Sequence, residues 1–181
     1  VKKYQLDFSV GLNLTGSAKV YVDRSELKSY RFTLYHGYKV KQVTDQTGAA
    51  LDFRREYDYV TVTRGGEAVE YLCLEYTGKS PKYYSSYAGV CLPANFAYYP
   101  IPGYRELFSD NFYGFIDCSL PYDTAFDVRC SGRKQMYCNL AARGDNHFAG
   151  NAHSITLLSG YYDTLKLNDT LVVYPKYADG E

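Results

Sequence analysis

The stretch Tyr83-Tyr84-Ser85-Ser86-Tyr87-Ala88-Gly89-Val90-Cys91-Leu92-Pro93-Ala94-Asn95-Phe96-Ala97-Tyr98-Tyr99-Pro100-Ile101-Pro102-Gly103-Tyr104 decides how the rest of the chain must fold. It holds six tyrosines, one phenylalanine and three prolines, in neither a helical nor a strand period. A segment this aromatic is too apolar to stay solvated as a linker. Its rings must pack on something, and short strands are legible on both sides, so it is expected to tie two groups of strands together. Tyr98, Tyr99 and Pro100 are expected to be structural, with both rings buried and the proline shaping the following turn. Tyr83, Tyr84 and Tyr87, at the start, are the candidates for an exposed contact surface.

Upstream, Tyr4, Leu6, Phe8 and Val10 alternate with polar residues, and Ala18, Val20 and Val22 repeat the pattern after Gly11. Period two marks a strand buried on one face. Tyr30, Phe32 and Leu34 alternate in the same way, and Val40 and Val43 lead to the turn Asp45-Gln46-Thr47-Gly48. Leu51–Phe53 and Tyr57–Thr63 form a hairpin-like pair, closed by Arg64-Gly65-Gly66-Glu67. Leu72, Leu74 and Tyr76 follow in phase.

Downstream, Arg105 to Asn111 is expected to add a helical turn, and Gly114–Leu120 a strand with Asp117 facing solvent. Ala125–Cys130 and Gln135–Ala141 read as strands joined by a hairpin turn at Ser131-Gly132-Arg133-Lys134. Arg143-Gly144-Asp145-Asn146 reads as a polar loop. Ser154–Leu158, Tyr161–Leu167 and Thr170–Tyr174 read as the last strands. About a dozen short strands with turn signals every 8–12 residues or so, and no amphipathic helix, define an all-β class: an antiparallel β-sandwich. Residues 1–177 are expected to form one such domain, with 178–181 as its C-terminal end. Both ends read as cuts through a longer protein.

The 181 residues include 20 Lys plus Arg and 20 Asp plus Glu, a formal charge of zero. Nucleic-acid binding rests on a basic surface, so that class is disfavoured. No apolar run is long enough to span a bilayer as a helix, so any membrane link is expected through segments outside this chain. The 22 tyrosines against no tryptophan suit half-buried sheet positions; the alternative is a sugar-stacking face. Five cysteines form no CxxC pair and sit at no zinc-ligand spacing with histidine. They read as small buried hydrophobes, with one bridge among Cys118, Cys130 and Cys138 left open.

Catalytic patterns are missing from the sequence. None of His36, His147 and His153 begins an H-E-x-x-H helix, and no nucleophile elbow, P-loop or dinucleotide fingerprint occurs. Asp145, His147 and His153 share a Gly/Asn-rich loop where a metal could bring them together, but a polar loop tip is the commoner outcome. Asp110, Asp117, Asp123 and Asp127 are scattered, and any pairing among them is spatial rather than sequential. Asn13-Leu14-Thr15 and Asn168-Asp169-Thr170 fit the glycosylation acceptor pattern. No catalytic residue, cofactor or metal is expected.

Taken in order, the strands resemble the N-terminal β-sandwich domain of M1-family zinc aminopeptidases. Tyr30-Arg31-Phe32-Thr33-Leu34 through Val40-Lys41-Gln42-Val43 to Gly48 is similar to an early strand of that domain. Leu72-Cys73-Leu74-Glu75-Tyr76-Thr77-Gly78 is similar to a strand ending in Y-x-G. Tyr98-Tyr99-Pro100 sits where the family often has Trp-Tyr-Pro, while Leu157–Tyr161 and Asp169–Tyr174 resemble its closing turn and last strand. The zinc-binding helix and the G-x-M-E-N loop are absent, so the resemblance transfers no catalytic residue. It implies a non-catalytic module that walls a catalytic cleft by packing on the rest of its own polypeptide, or docks a protein or peptide partner. Similar domains occur outside bacterial membranes, including on transporter permeases, which makes an extracytoplasmic, membrane-anchored parent the expectation. The alternatives are a carbohydrate- or peptide-binding module using the Tyr-rich surface, and the N-terminal part of an active M1-like metallopeptidase.

Overall fold

A computed structural model describes residues 1–23, 27–66, 68–86, 89–106 and 117–176. The expected helical turn lies mostly outside these residues, as do Tyr87, residues 114–116 and residues 178–181. In chain order the described strands begin with β1 (Lys3–Val10), β2 (Leu14–Tyr21), β3 (Ser29–Thr33), β4 (Tyr38–Thr44), β5 (Phe53–Glu56) and β6 (Tyr59–Thr63). Next come β7 (Tyr71–Gly78), β8 (Gly89–Leu92), β9 (Ile101–Pro102), β10 (Thr124–Gly132) and β11 (Gln135–Cys138). The series ends with β12 (Ala141–Gly144), β13 (His147–Ala152), β14 (Leu157–Gly160), β15 (Tyr162–Leu167) and β16 (Thr170–Pro175).

They form a seven-stranded sheet ordered β12-β13-β10-β1-β2-β7-β4, a four-stranded sheet β5-β6-β3-β9, a three-stranded sheet β11-β14-β8 and the two-stranded ribbon β15-β16. The architecture is the all-β one the alternation implies. Tyr4, Leu6 and Phe8 of β1 face inward, with Ala18 and Val20 of β2, Leu72, Leu74 and Tyr76 of β7, and Phe126 and Val128 of β10. Val60 and Val62 of β6, Phe32 of β3, and Leu92, Met136 and Leu157 of the three-stranded sheet complete the same core.

The aromatic segment runs through that core. Tyr98 and Tyr99 are fully buried, and Pro100 is buried beside them. Tyr99 meets Tyr4 edge-on at 5.5 Å and Phe126 at 5.9 Å, while Tyr98 lies 5.6 Å from Phe8. Irregular backbone buried this deeply needs hydrogen-bond partners outside any ladder. Tyrosine supplies them. Tyr4 Oη donates to the Pro100 carbonyl at 2.8 Å, Tyr76 Oη to the Tyr98 carbonyl at 2.9 Å, and Tyr98 Oη to the Ile155 carbonyl at 2.9 Å. The segment's carbonyls are thereby pinned to β1 and β7 of the large sheet, and Tyr98 ties it to the loop before β14. Phenylalanine would fill the same space and leave these carbonyls unpaired.

One glycine makes room for this. Gly16 of β2 sits between Phe8 and Tyr76 in register, and a Cβ there would lie 2.4 Å from the Tyr76 ring. The Tyr76 ring therefore lies flat across the glycine.

Several expected elements are corrected. The aromatic segment is not strand-free: Gly89–Leu92 forms β8 and Ile101–Pro102 pairs with β3. Ser131–Lys134 closes no hairpin, because β10 pairs with β1 and β13 whereas β11 pairs with β14 in another sheet. The chain changes sheets there. Gln135–Ala141 is not one strand either; it breaks at Asn139-Leu140, where buried Leu140 anchors the crossing into β12. Of the loop read at Arg143–Asn146, Arg143 and Gly144 end β12 and Asp145-Asn146 make the tight turn of the β12–β13 hairpin, with Asn146 at φ 53°. Asp117–Leu120 belongs to no strand, although Cys118 and Leu120 are buried and Asp117 is exposed. Finally, β1 and β10 pair in parallel, the one such pair among the described strands.

Candidate functional site

The β15–β16 ribbon is the element that the core does not explain. Its strands pair in register from Tyr162↔Pro175 to Leu167↔Thr170, around a turn with Asn168 at φ 53°. It joins no other sheet among the described residues. Alternation places Leu165, Leu167, Val172 and Tyr174 on one face and Leu171 and Val173 on the other. Leu165, Leu167 and Leu171 are each at least half exposed, and Val172 and Tyr174 are also open to solvent. Among the described residues its specific contacts gather at the base. Tyr162 packs edge-on against Tyr137 at 6.0 Å, Tyr161 lies under the Lys134 ammonium at 4.5 Å, and the Lys176 amide donates to the Tyr161 carbonyl. A lone two-stranded ribbon is marginal in water, and a contiguous apolar stripe on one marks a contact surface.

The predicted contact tyrosines divide. Tyr83 is 68% exposed and meets Tyr84 edge-on at 4.6 Å. Tyr84 is half-buried against Phe96 at 4.6 Å, and burial, then the neighbouring Tyr83 hydroxyl, pushes its phenol up to about 12. Tyr84 is thus partly core, whereas Tyr83 is open. Tyr98, Tyr99 and Pro100 occupy the core described above.

His147 and His153, on the loop where a metal could bring them together, take separate partners. His147 Nε2 contacts Asp127 Oδ1 at 3.0 Å on the outer face of the large sheet. His153 meets the Leu120 carbonyl through Nδ1 at 2.8 Å and Asp123 through Nε2 at 3.2 Å. No group of three or more metal-ligating side chains occurs among the described residues. All five cysteines are free, so the bridge left open among Cys118, Cys130 and Cys138 is absent. Burial pushes the Cys118 and Cys138 thiols up to about 11 and Cys130 to about 12, which makes them poor nucleophiles.

One polar pair escaped the sequence reading. Asp58 is buried in the β5–β6 turn and accepts both the backbone N–H of His36, at 2.7 Å, and its Nδ1, at 2.9 Å. The His36 ring stacks on exposed Tyr57 at 4.2 Å, and Tyr57 holds φ 52°. Arg55 donates to the Leu34 and Tyr35 carbonyls alongside. These bonds lock two turns together. Asp58 and His36 are 22 residues apart, and only the β3–β6 pairing brings them together.

The fold and the site define an all-β sandwich carrying an unsupported apolar ribbon. Solved structures share this architecture. An M1 zinc metallopeptidase from Deinococcus radiodurans aligns with 96% of this chain and 46% of its own, at TM-score 0.59 and 15% identity. Native leukotriene A4 hydrolase from Saccharomyces cerevisiae aligns with 96% of this chain and 31% of its own, at 0.60 and 12%. An aminopeptidase N family protein from Idiomarina loihiensis aligns with 97% and 33%, at 0.58 and 8%. The chain thus has a fold like that of the M1 aminopeptidase N-terminal domain, and it spans less than half the length of these proteins. No protein-family model and no curated protein sequence matches it. No helix among the described residues is long and apolar enough to cross a membrane.

Proposed function

We propose that the chain is a non-catalytic β-sandwich module of a larger protein and that its role is docking. The observation that carries this reading is the apolar face of the ribbon, Leu165, Leu167, Val172 and Tyr174, which the sandwich leaves uncovered. Its occupant is another folded part of the same polypeptide. That choice is supported by the similar solved proteins, which have more than half of their length outside the matched region. By the sequence resemblance, the parent is a membrane-anchored protein on the outer side of a bacterial membrane, and the module gates or walls a site built elsewhere.

Two measurements test this. The isolated chain, supplied with zinc and aminopeptidase substrates, shows no turnover; activity lost on chelation would overturn the non-catalytic reading. In the parent polypeptide, Leu165→Ser with Val172→Ser frees the module to unfold on its own, whereas an unchanged single transition would overturn docking through the ribbon. A downstream H-E-x-x-H sequence would make the docked unit a peptidase domain.

A second reading, carbohydrate or peptide binding by the Tyr-rich surface, is favoured by the exposure of Tyr57 and Tyr83. Glycan-array signal lost in Tyr83→Ala would support it, and absence of any glycan signal would remove the sugar version.

A further inference from the structure

The other face of the ribbon borders a groove of about 960 Å3. One wall is Leu171 and Val173 of β16. The opposite wall is β12, and the floor includes the buried side chains of Met136, Leu140 and Phe148. β12 is an edge strand. It pairs with β13 on one side and with no described strand on the other. All four of its residues, Ala141, Ala142, Arg143 and Gly144, are exposed. Alternate backbone N–H and C=O groups of an edge strand point away from its partner and can pair with an added strand. The alanines and the glycine leave that backbone uncovered. No proline stands there to block pairing.

The groove's lining is acidic, while two basic side chains stand at its margin, Arg143 on β12 and Lys166, which pairs with Leu171 on the same ribbon face. Asp145, from the β12–β13 turn, and Asp169, from the ribbon turn, both line it, and no Lys or Arg is among its lining residues. An occupant therefore gains from positive charge, from an apolar side directed at Leu171, Val173 and the floor, and from an extended backbone. These features describe a single ligand class, an extended peptide that alternates apolar and basic residues and adds as a strand to β12.

We propose that this groove binds extended basic peptides by strand addition at β12, on the side of the ribbon opposite its docking face. The site is independent of the docking reading, because it uses the face that carries Leu171 and Val173. β12 is four residues long, and its register with β13 shifts between Ala142 and Gly144. Binding is accordingly weak, with Kd on the order of 100 µM.

The probes are two capped seven-residue peptides, one alternating valine with lysine and one alternating valine with glutamate. Each is titrated into the isotopically labelled chain and followed by amide NMR. The lysine peptide is expected to shift β12 and the ribbon turn, and the glutamate peptide to bind at least several-fold more weakly. Asp145→Lys with Asp169→Lys should weaken the lysine peptide roughly tenfold, since each exposed ion pair contributes only modestly. Ala142→Pro should abolish binding; if it unfolds the hairpin, the charge reversal alone decides. Equal binding of the two peptides, no shift at millimolar peptide, or shifts confined to Leu165, Leu167, Val172 and Tyr174 would each overturn the proposal. The last of these results would still leave the docking face intact.

Discussion

Replacing Tyr4 by Phe removes one oxygen from the centre of the core. That hydroxyl donates to the Pro100 carbonyl at 2.8 Å, and Tyr4 is fully buried, so no water can take its place. The ring contacts with Tyr99 and Phe126 survive, which isolates the hydrogen bond. An unsatisfied buried carbonyl costs about 1–3 kcal/mol. For a domain of this size each kcal/mol lowers Tm by roughly 2–4 °C, so Tyr4→Phe should melt about 2–12 °C lower. Tyr99 is the internal control. Its hydroxyl is buried without a well-formed hydrogen bond, its nearest polar neighbour being the Ile155 backbone, so Tyr99→Phe removes a weak interaction at most. That variant should change stability by less than about 1 kcal/mol. Tyr99→Ala, which empties the ring site, should lose about 3–5 kcal/mol. Thermal and urea unfolding measure all three, with an unchanged urea slope confirming the same cooperative unit. Tyr4→Phe as stable as the wild type, or Tyr99→Phe as damaged as Tyr4→Phe, would refute the view that tyrosyl hydroxyls pin the segment.

Gly16→Ala should cost about 1–3 kcal/mol, because its Cβ would overlap the Tyr76 ring and Tyr76 is itself fixed by its bond to the Tyr98 carbonyl; a neutral urea midpoint would show that the ring can move aside. Stability should fall in alkali. The Cys118, Cys130 and Cys138 thiols are held protonated, at about 11 to 12, while the unfolded chain ionises near its usual thiol range of about 8.5. Their contribution is complete below that range and is lost as pH rises through it toward the folded values, so Tm should decline from about pH 9 upward; a flat profile to pH 11 would contradict the assigned burial. The same thiols should react with iodoacetamide far more slowly in the native chain than in urea. In the isolated chain, Leu165→Ser with Val172→Ser should change stability by no more than about 0.5 kcal/mol per site, since both side chains are already exposed; a large loss of Tm would place them in the core.

Strands whose inner faces carry one large apolar residue at every second position were legible from sequence, as in Tyr4-Leu6-Phe8 and Leu72-Leu74-Tyr76. β13 was not, because His147-Phe148-Ala149-Gly150-Asn151-Ala152 offers a single large hydrophobe and two turn-forming residues. Its strand state comes from pairing with β10 and β12. β8 was hidden by the surrounding aromatics, and Ser131–Lys134 looked like a hairpin because a turn signal says nothing of which sheet the next strand enters. The ribbon shows the sharpest limit. Leu165, Leu167, Val172 and Tyr174 alternate as a buried strand does, so period two reads the same whether or not anything covers that face. The groove at β12 carries no motif, since an edge strand is defined by the neighbour it lacks.

Docking through the ribbon is tested most directly by amide hydrogen exchange, comparing the isolated chain with the longer polypeptide that contains it. Tyr162–Leu167 and Thr170–Pro175 should exchange rapidly in isolation and become strongly protected in the longer protein, with the seven-stranded sheet protected in both. Unchanged, rapid exchange of the ribbon in the longer protein would contradict it.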